Sequence, residues 1–261
     1  MLISYATFNE LQYNLQELLE QMSEWNVETG LLLSPPMKDG TPFPNEKIVD
    51  LCEKSHRKLL PIFTVEPSRE HIQNSLEHAK KHKDLVKGFK IRLGYKEVFA
   101  SDPVFDPLYE YAQAENLPVL FHTGDTATST GSLKHSHPLT LDELANKRED
   151  LKIVICHFGN PWIDVVGELI YKHQNVHADI SGLFTGTIRN EDYYAKRFLE
   201  TLARKVSEAI YFASGVSKVL FGTDYPVETY PAAISFARKL DIEHQDLDKL
   251  FYENAKRLFS I

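Results

Sequence analysis

Short unbroken apolar runs alternate with longer amphipathic ones from end to end of the chain, and this alternation restricts the fold more than any other feature. Strands are expected at Leu2–Phe8, Gly30–Leu33, Leu59–Thr64, Val86–Leu93, Pro118–His122, Lys152–His157, Asn175–Ile180 and Lys218–Gly222. Between and after them the spacing of apolar residues predicts helices over Asn14–Glu24, Asn45–His56, Ser68–His82, Asp106–Glu115, Leu141–Lys147, Trp162–His173, Glu191–Ser214, Tyr230–Leu240 and Gln245–Phe259. Asn45, after Pro44, suits a helix cap, and Ser68 with Glu70 nearby is a helix-start signal. Runs such as KIVIC and KVLFG are continuously apolar, as strands buried on both faces of a parallel sheet must be. Eight strand–helix units in 261 residues predict an α/β chain folded as a single (β/α)8 TIM barrel spanning residues 1–261. An open doubly wound sheet is the structural alternative. No G-x-G-x-x-G follows the early strands, which weighs against a dinucleotide site.

Composition removes several classes of function. The net charge of −8, with acids and bases interspersed and no basic run, argues against nucleic acid as the main partner. No stretch approaches the roughly 18 consecutive apolar residues of a membrane span. The N-terminus lacks the basic and long apolar regions of a signal peptide. Two cysteines, Cys52 and Cys156, do not make a disulfide framework. The expectation is a cytoplasmic protein with a small-molecule partner.

Polar residues gather where the expected strands end, which is where a barrel of this kind carries its chemistry. VLFHTGD places His122 and Asp125 after one strand, VICHFGNPW places His157 and Asn160 after the next, and VLFGTDYP places Asp224 after the last. NVHADISG sets Asp179 and Ser181 at another strand end. Lys90 and Arg92 lie two apart in VKGFKIRLGY and share one face of their strand. Neutral imidazoles and a carboxylate are good ligands for Zn²⁺, and an open coordination position lets the metal lower the pKa of bound water toward ~7. Each histidine alone also reads as a strand-end side chain bonded to a loop; three strand ends carrying His, His and Asp point to a site.

FHTGD, CHFGNPW, ADISG, VLFGTDYPV and the closing FYENAKRLF resemble the amidohydrolase-related metal-dependent hydrolases of TIM-barrel fold, in the branch that includes aminocarboxymuconate semialdehyde decarboxylase. The resemblance covers nearly the whole chain. It implies that His122 and Asp224 hold a divalent metal, commonly zinc, and that His157 binds metal or moves protons beside the activated water. It implies that Lys90 bridges metals when carboxylated or holds a substrate anion, and that the chain forms a homodimer.

The opening residues depart from that pattern. The family carries an H-x-H pair at the end of its first strand, in a context like I-D-x-H-x-H. Here Ile3, Ser4, Tyr5, Ala6, Thr7 and Phe8 occupy the stretch, and Ala6 and Phe8 offer no lone pair. The metal then keeps His122 and Asp224, with His157 as a third ligand. Either the pair has been substituted or the true first strand lies upstream of Met1; substitution is the expectation, because a barrel without its first strand exposes two sheet edges.

Lys90 and Arg92 read equally as holders of a substrate carboxylate, by the bidentate fork of Arg, and as ion-pair partners of Asp179 or Asp224. The polar stretch Thr123–Pro138 is longer than an ordinary βα loop and reads as a lid. Its His135 and His137 read as a solvated or packing pair before they read as replacement metal ligands. Alternation along the strand turns Cys156 away from the interior, and Trp162 starts a helix near the mouth. No G-x-S-x-G elbow or P-loop is present. The expected function is a metal-dependent hydrolase or decarboxylase acting on a small carboxylate-bearing substrate, with His157 and Asp224 catalytic, Lys90 and Arg92 binding substrate, and His122, His157 and Asp224 on the metal. The alternatives are a binding protein with a degenerate site, and a metal-free enzyme using His157 and Asp224 as acid and base.

Overall fold

The structure, a computed structural model, describes residues 15–37, 40–184 and 193–261. Leu2–Phe8, with Ala6 and Phe8, lies outside the described residues. The other seven expected strands form one parallel sheet in which each strand pairs with the next in sequence. They are β1 (Gly30–Leu33), β2 (Leu59–Val65), β3 (Gly88–Ile91), β4 (Val119–Phe121), β5 (Ile153–Ile155), β6 (Val176–Asp179) and β7 (Val219–Leu220). The register runs Gly30 beside Leu59, Ile62 beside Gly88, Phe89 beside Val119, Val119 beside Ile153, Ile153 beside Val176 and Ala178 beside Val219.

The helices are α1 (Leu15–Glu24), α2 (Asn45–Lys54), α3 (Arg69–Lys81), α4 (Asp106–Ala114), α5 (Leu133–Ser136), α6 (Leu141–Lys147), α7 (Ile163–Lys172), α8 (Tyr193–Phe212), α9 (Tyr230–Ala237) and α10 (Asn254–Phe259). Alternation along the strands divides the interior in two. Phe63, Phe89, Phe121, Ile155 and Ala178 point outward into a large core shared with the helices. Ile62, Leu120, Val154 and Leu220 point the other way and meet in one inner cluster, with Leu31 and Leu33 of β1 packed against it. Residues from β1 through β7 can share one cluster only if the sheet is curled. Leu258 and Phe259 of α10 fill the end of that cluster.

Two local expectations are corrected. Asn45 does not cap α2; it is buried, accepts from Ser34 Oγ at 2.8 Å and Thr64 N at 3.1 Å, and so ties the helix to the ends of β1 and β2. Ser68 does cap α3, accepting from His71 N. The single helix expected over Gln245–Phe259 is instead a 3-10 turn at His244–Asp246, a π-helical turn at Lys249–Glu253 and α10. Its break places buried Asn254 where its Nδ2 donates to the carbonyls of Val216 and Val219, both at 2.8 Å.

Candidate active site

A cavity of about 1930 Å³ opens where the strands end, and Lys90, Arg92, His122, His157 and Asp224 all line it. The chain reaches this arrangement by bending sharply after β5. Cys156–Gly159 is a tight turn in which His157 (φ 61°) and Phe158 (φ 45°) hold left-handed conformations, and Asp224 (φ 50°) does the same after β7. Non-glycine residues in that region are uncommon and cost energy, and such strain collects at functional sites. Cys156 does not point away from the interior as expected. Val154 points inward and Ile155 outward, so alternation sets Cys156 inward with the inner cluster; the left-handed turn begins one residue later and brings His157 to the same cavity. Burial first, then the Asp179 carboxylate, pushes the Cys156 thiol up, so it stays protonated; Lys90 reaches the same thiol.

His157 is held from two sides. Its backbone N–H donates to Asp179 Oδ1 at 3.0 Å, and its ring Nδ1 lies 2.9 Å from the Ser181 carbonyl oxygen. A carbonyl only accepts, so Nδ1 carries hydrogen and Nε2 is left for the cavity. Asp179 Oδ1 also accepts from Ser181 N at 3.0 Å and Ser181 Oγ at 2.6 Å, which braces the turn that supplies that carbonyl. The same reasoning places hydrogen on His122 Nε2, 3.0 Å from the Asp125 carbonyl. The two imidazoles lie edge to face with centroids 5.0 Å apart, and the Tyr95 ring packs against His122 in a tilted contact at 4.9 Å. Burial, then the neighbouring His157 and Lys90, hold His122 well below the ordinary histidine range, so it is neutral.

Glycine is required at two places in this wall. At Gly124 (φ +91°) a Cβ would come within 2.3 Å of the Asn160 carbonyl. At Gly182 (φ +59°) it would lie 2.7 Å from His157 Nδ1 and 3.0 Å from Asp224 Oδ2. Gly182 therefore lets both side chains close on one turn.

Lys90 is 7% exposed, in the cavity wall. Arg92 follows β3 and is held at the rim, where Nη2 donates to Glu66 Oε1 at 2.9 Å and to the Gly40 carbonyl at 2.8 Å. Its ion pair is thus with Glu66, not with Asp179 or Asp224. Glu66 follows the end of β2, on the neighbouring strand, where sequence separation concealed it. His135 and His137 do not line the cavity: Ser132 Oγ lies 2.7 Å from His135 Nδ1 while Phe99 covers the ring, and His137 accepts from Leu139 N and packs on Trp162. Asp125, Ala127 and Leu133 of the same loop do reach the cavity.

Sequence reasoning passed over Glu228. It is 0% exposed, and Oε2 accepts from Gly182 N at 3.0 Å while Oε1 has no partner among the described residues. Burial, with Asp224 and Asp179 adding to it, pushes its carboxyl up to about 9. The only signal was an acid just before Thr229, whose Oγ1 caps α9 by accepting from Ala232 N.

These donors do not fit a metal site as they stand. Among the described residues no three His, Cys, Asp or Glu side chains converge to hold an ion. One nitrogen of His122 and one of His157 are already committed to backbone carbonyls. Also among the described residues, no helix is long and apolar enough to cross a membrane.

A family model described as amidohydrolase matches residues 42–261. A gamma-resorcylate decarboxylase from Rhodococcus jostii (strain RHA1) is 20% identical, covering 97% of this chain and 91% of the relative. A TIM-barrel protein from Bordetella bronchiseptica superposes with a TM-score of 0.73 at 18% identity, covering 95% of this chain and 83% of that one. A dihydroxybenzoic acid decarboxylase from Polaromonas sp. JS666, bound to manganese and the inhibitor 2-nitroresorcinol, superposes with a TM-score of 0.69 at 16% identity, covering 97% and 88%. At these identities the two superpositions bear on the fold alone.

Proposed function

The chain belongs to the amidohydrolase family, and on that premise we propose that it folds as a full (β/α)8 barrel and removes CO₂ from a small aromatic carboxylate in the cavity. The observation that carries this reading is a nearly buried ammonium, Lys90, in one cavity with His122, His157 and Asp224. A buried cation with an open face is suited to a carboxylate. The decarboxylase activity of the Rhodococcus relative supports the same substrate class.

In this reading Lys90 meets the substrate carboxylate, and Arg92, fixed by Glu66, adds positive potential from the rim. Neutral His122 presents Nδ1 as an acceptor to a ring hydroxyl. His157, protonated on both nitrogens in the substrate complex, gives its Nε2 proton to the ring carbon that bears the carboxylate and becomes the neutral Nδ1–H imidazole. The electron pair of the breaking C–CO₂ bond returns to the ring, CO₂ departs, and His157 regains a proton from water. Asp224, across Gly182 from His157, balances the imidazolium charge.

The manganese in the Polaromonas enzyme favours a second reading, in which His122, His157 and Asp224 hold a divalent ion such as zinc. The described donors do not converge on such an ion, which leaves the metal-free reading in front. The test is CO₂ release from a panel of ortho-hydroxylated benzoates. We expect turnover of at least one, with His157→Ala lowering kcat by about 100-fold or more, within the range for a positioned proton donor. A chain that binds these acids without turning any over is a binding protein on the same fold, and the proposal fails.

A further inference from the structure

We propose that Glu228 is a positioning residue that holds the His157 imidazole through a single peptide unit, the amide joining Ser181 to Gly182. The two ends of that amide carry the contacts. Its carbonyl oxygen, on Ser181, lies 2.9 Å from His157 Nδ1, and its N–H, on Gly182, donates to Glu228 Oε2 at 3.0 Å. The amide is planar and stiff, so a displacement at the Glu228 end is delivered to the imidazole end. An acceptor bonded at the N–H also polarises the carbonyl and strengthens the bond it accepts.

The surroundings leave this unit little slack. Gly182 is wedged between His157 and Asp224, with less than an ordinary Cβ contact to spare on either side. Behind it, Glu228 is wholly buried and lies outside the cavity wall. The hydrogen bond to Gly182 is its only one among the described residues, and its second oxygen is left without a partner. Burying a carboxyl with half its bonding unmet is costly. A leucine-sized apolar side chain would fill the place without that cost, so what the carboxyl supplies is the acceptor. The charged groups that face Glu228 are Asp224 and Asp179; those facing His157 are Asp179, Asp224 and, when protonated, His122. Glu228 is also fixed from its own side, since Thr229 caps α9 and sets where the preceding residue stands.

The tautomer of a histidine follows from the bond that its other nitrogen makes. Glu228 therefore keeps hydrogen on Nδ1 and aims Nε2 into the cavity. Long-range ¹⁵N–¹H NMR of the intact wild-type protein reads this directly: neutral His157 is expected as the Nδ1–H tautomer, and an Nε2–H tautomer overturns the proposal with no variant needed. Glu228→Gln keeps an acceptor of the same shape and is expected to keep that spectrum and turnover within about threefold, whereas Glu228→Leu loses the single tautomer and lowers kcat by about 100-fold with KM little changed, as misplacement of a reacting group does. A folded Glu228→Leu protein with an unchanged His157 spectrum overturns the proposal. If that variant does not fold, the wild-type tautomer and Glu228→Gln decide. The kcat arm rests on the proposed role of His157 and the NMR arms do not. A chain with no turnover but a His157 spectrum that changes in Glu228→Leu would remove the proposed function and keep the positioning role.

Discussion

Glu228→Gln should change the stability of the protein by an amount that depends on pH, and the burial of this side chain sets the size. The carboxyl sits near 4.5 when solvated and is pushed to about 9 in the folded chain. Between those values the folded state keeps its proton while the unfolded state releases it. The unfolded state thus binds fewer protons, and wild-type stability falls as pH rises through that window. The slope is about 1.4 kcal/mol per pH unit, so from about pH 5 to about pH 8 the wild type loses roughly 4 kcal/mol that the glutamine variant keeps. Against a total stability of about 5–15 kcal/mol, a difference of that size is easily read. Because Glu228 has no exposed surface, solvent does little to reduce the effect. Urea unfolding of both proteins at several pH values measures it, and every other titrating group cancels in the difference. The variant should match the wild type near pH 5 and exceed it progressively toward pH 8, with unchanged m-values. A difference that stays flat across this range would mean that the folded carboxyl titrates as a solvated one, and the account of Glu228 as a buried neutral acid would be refuted.

Lys90→Met should raise KM for a carboxylate substrate by about ten- to a hundredfold, the worth of a charged hydrogen bond, and an unchanged KM would remove Lys90 from substrate binding. Gly182→Ala should cost about 1–2 kcal/mol for its left-handed backbone and should also depress turnover, since the new Cβ meets His157 and Asp224; thermal unfolding and steady-state kinetics separate the two effects. Elemental analysis of dialysed protein should find divalent metal well below one ion per chain, with turnover insensitive to chelator. A stoichiometric ion with chelator-sensitive turnover would return His122, His157 and Asp224 to the metal-holding role that the family resemblance implies.

The strands were legible because a parallel sheet covered on both faces demands unbroken apolar runs, and seven of the eight expected strands appear where those runs lie. His122, His157 and Asp224 were legible for a related reason: each stands within a few residues of the end of such a run. What failed did so where a local rule stopped applying. Alternation counted back from an inward His157 predicts an outward Cys156, but His157 already belongs to a left-handed turn, so the phase is set by inward Val154 and Cys156 points inward too. Asn45 carried the signature of a cap and is instead a buried bridge between two strand ends. Arg92 was matched with aspartates at strand ends, while its partner Glu66 stands beside it on the neighbouring strand.

By itself, then, the order of residues determined the strand–helix rhythm, the parallel sheet and the candidates at the strand ends, because these depend on periodicities of a few residues. Tertiary structure decided which of those candidates share a cavity, which nitrogen of each histidine faces it, and that a buried acid stands behind the Ser181–Gly182 amide. Those facts depend on contacts between segments far apart in the chain. Glu228 and Gly182 are separated by 46 positions and meet at 3.0 Å, and nothing in the spacing of either stretch encodes that meeting. It follows from the curl of the sheet, which brings the ends of β5, β6 and β7 around one space.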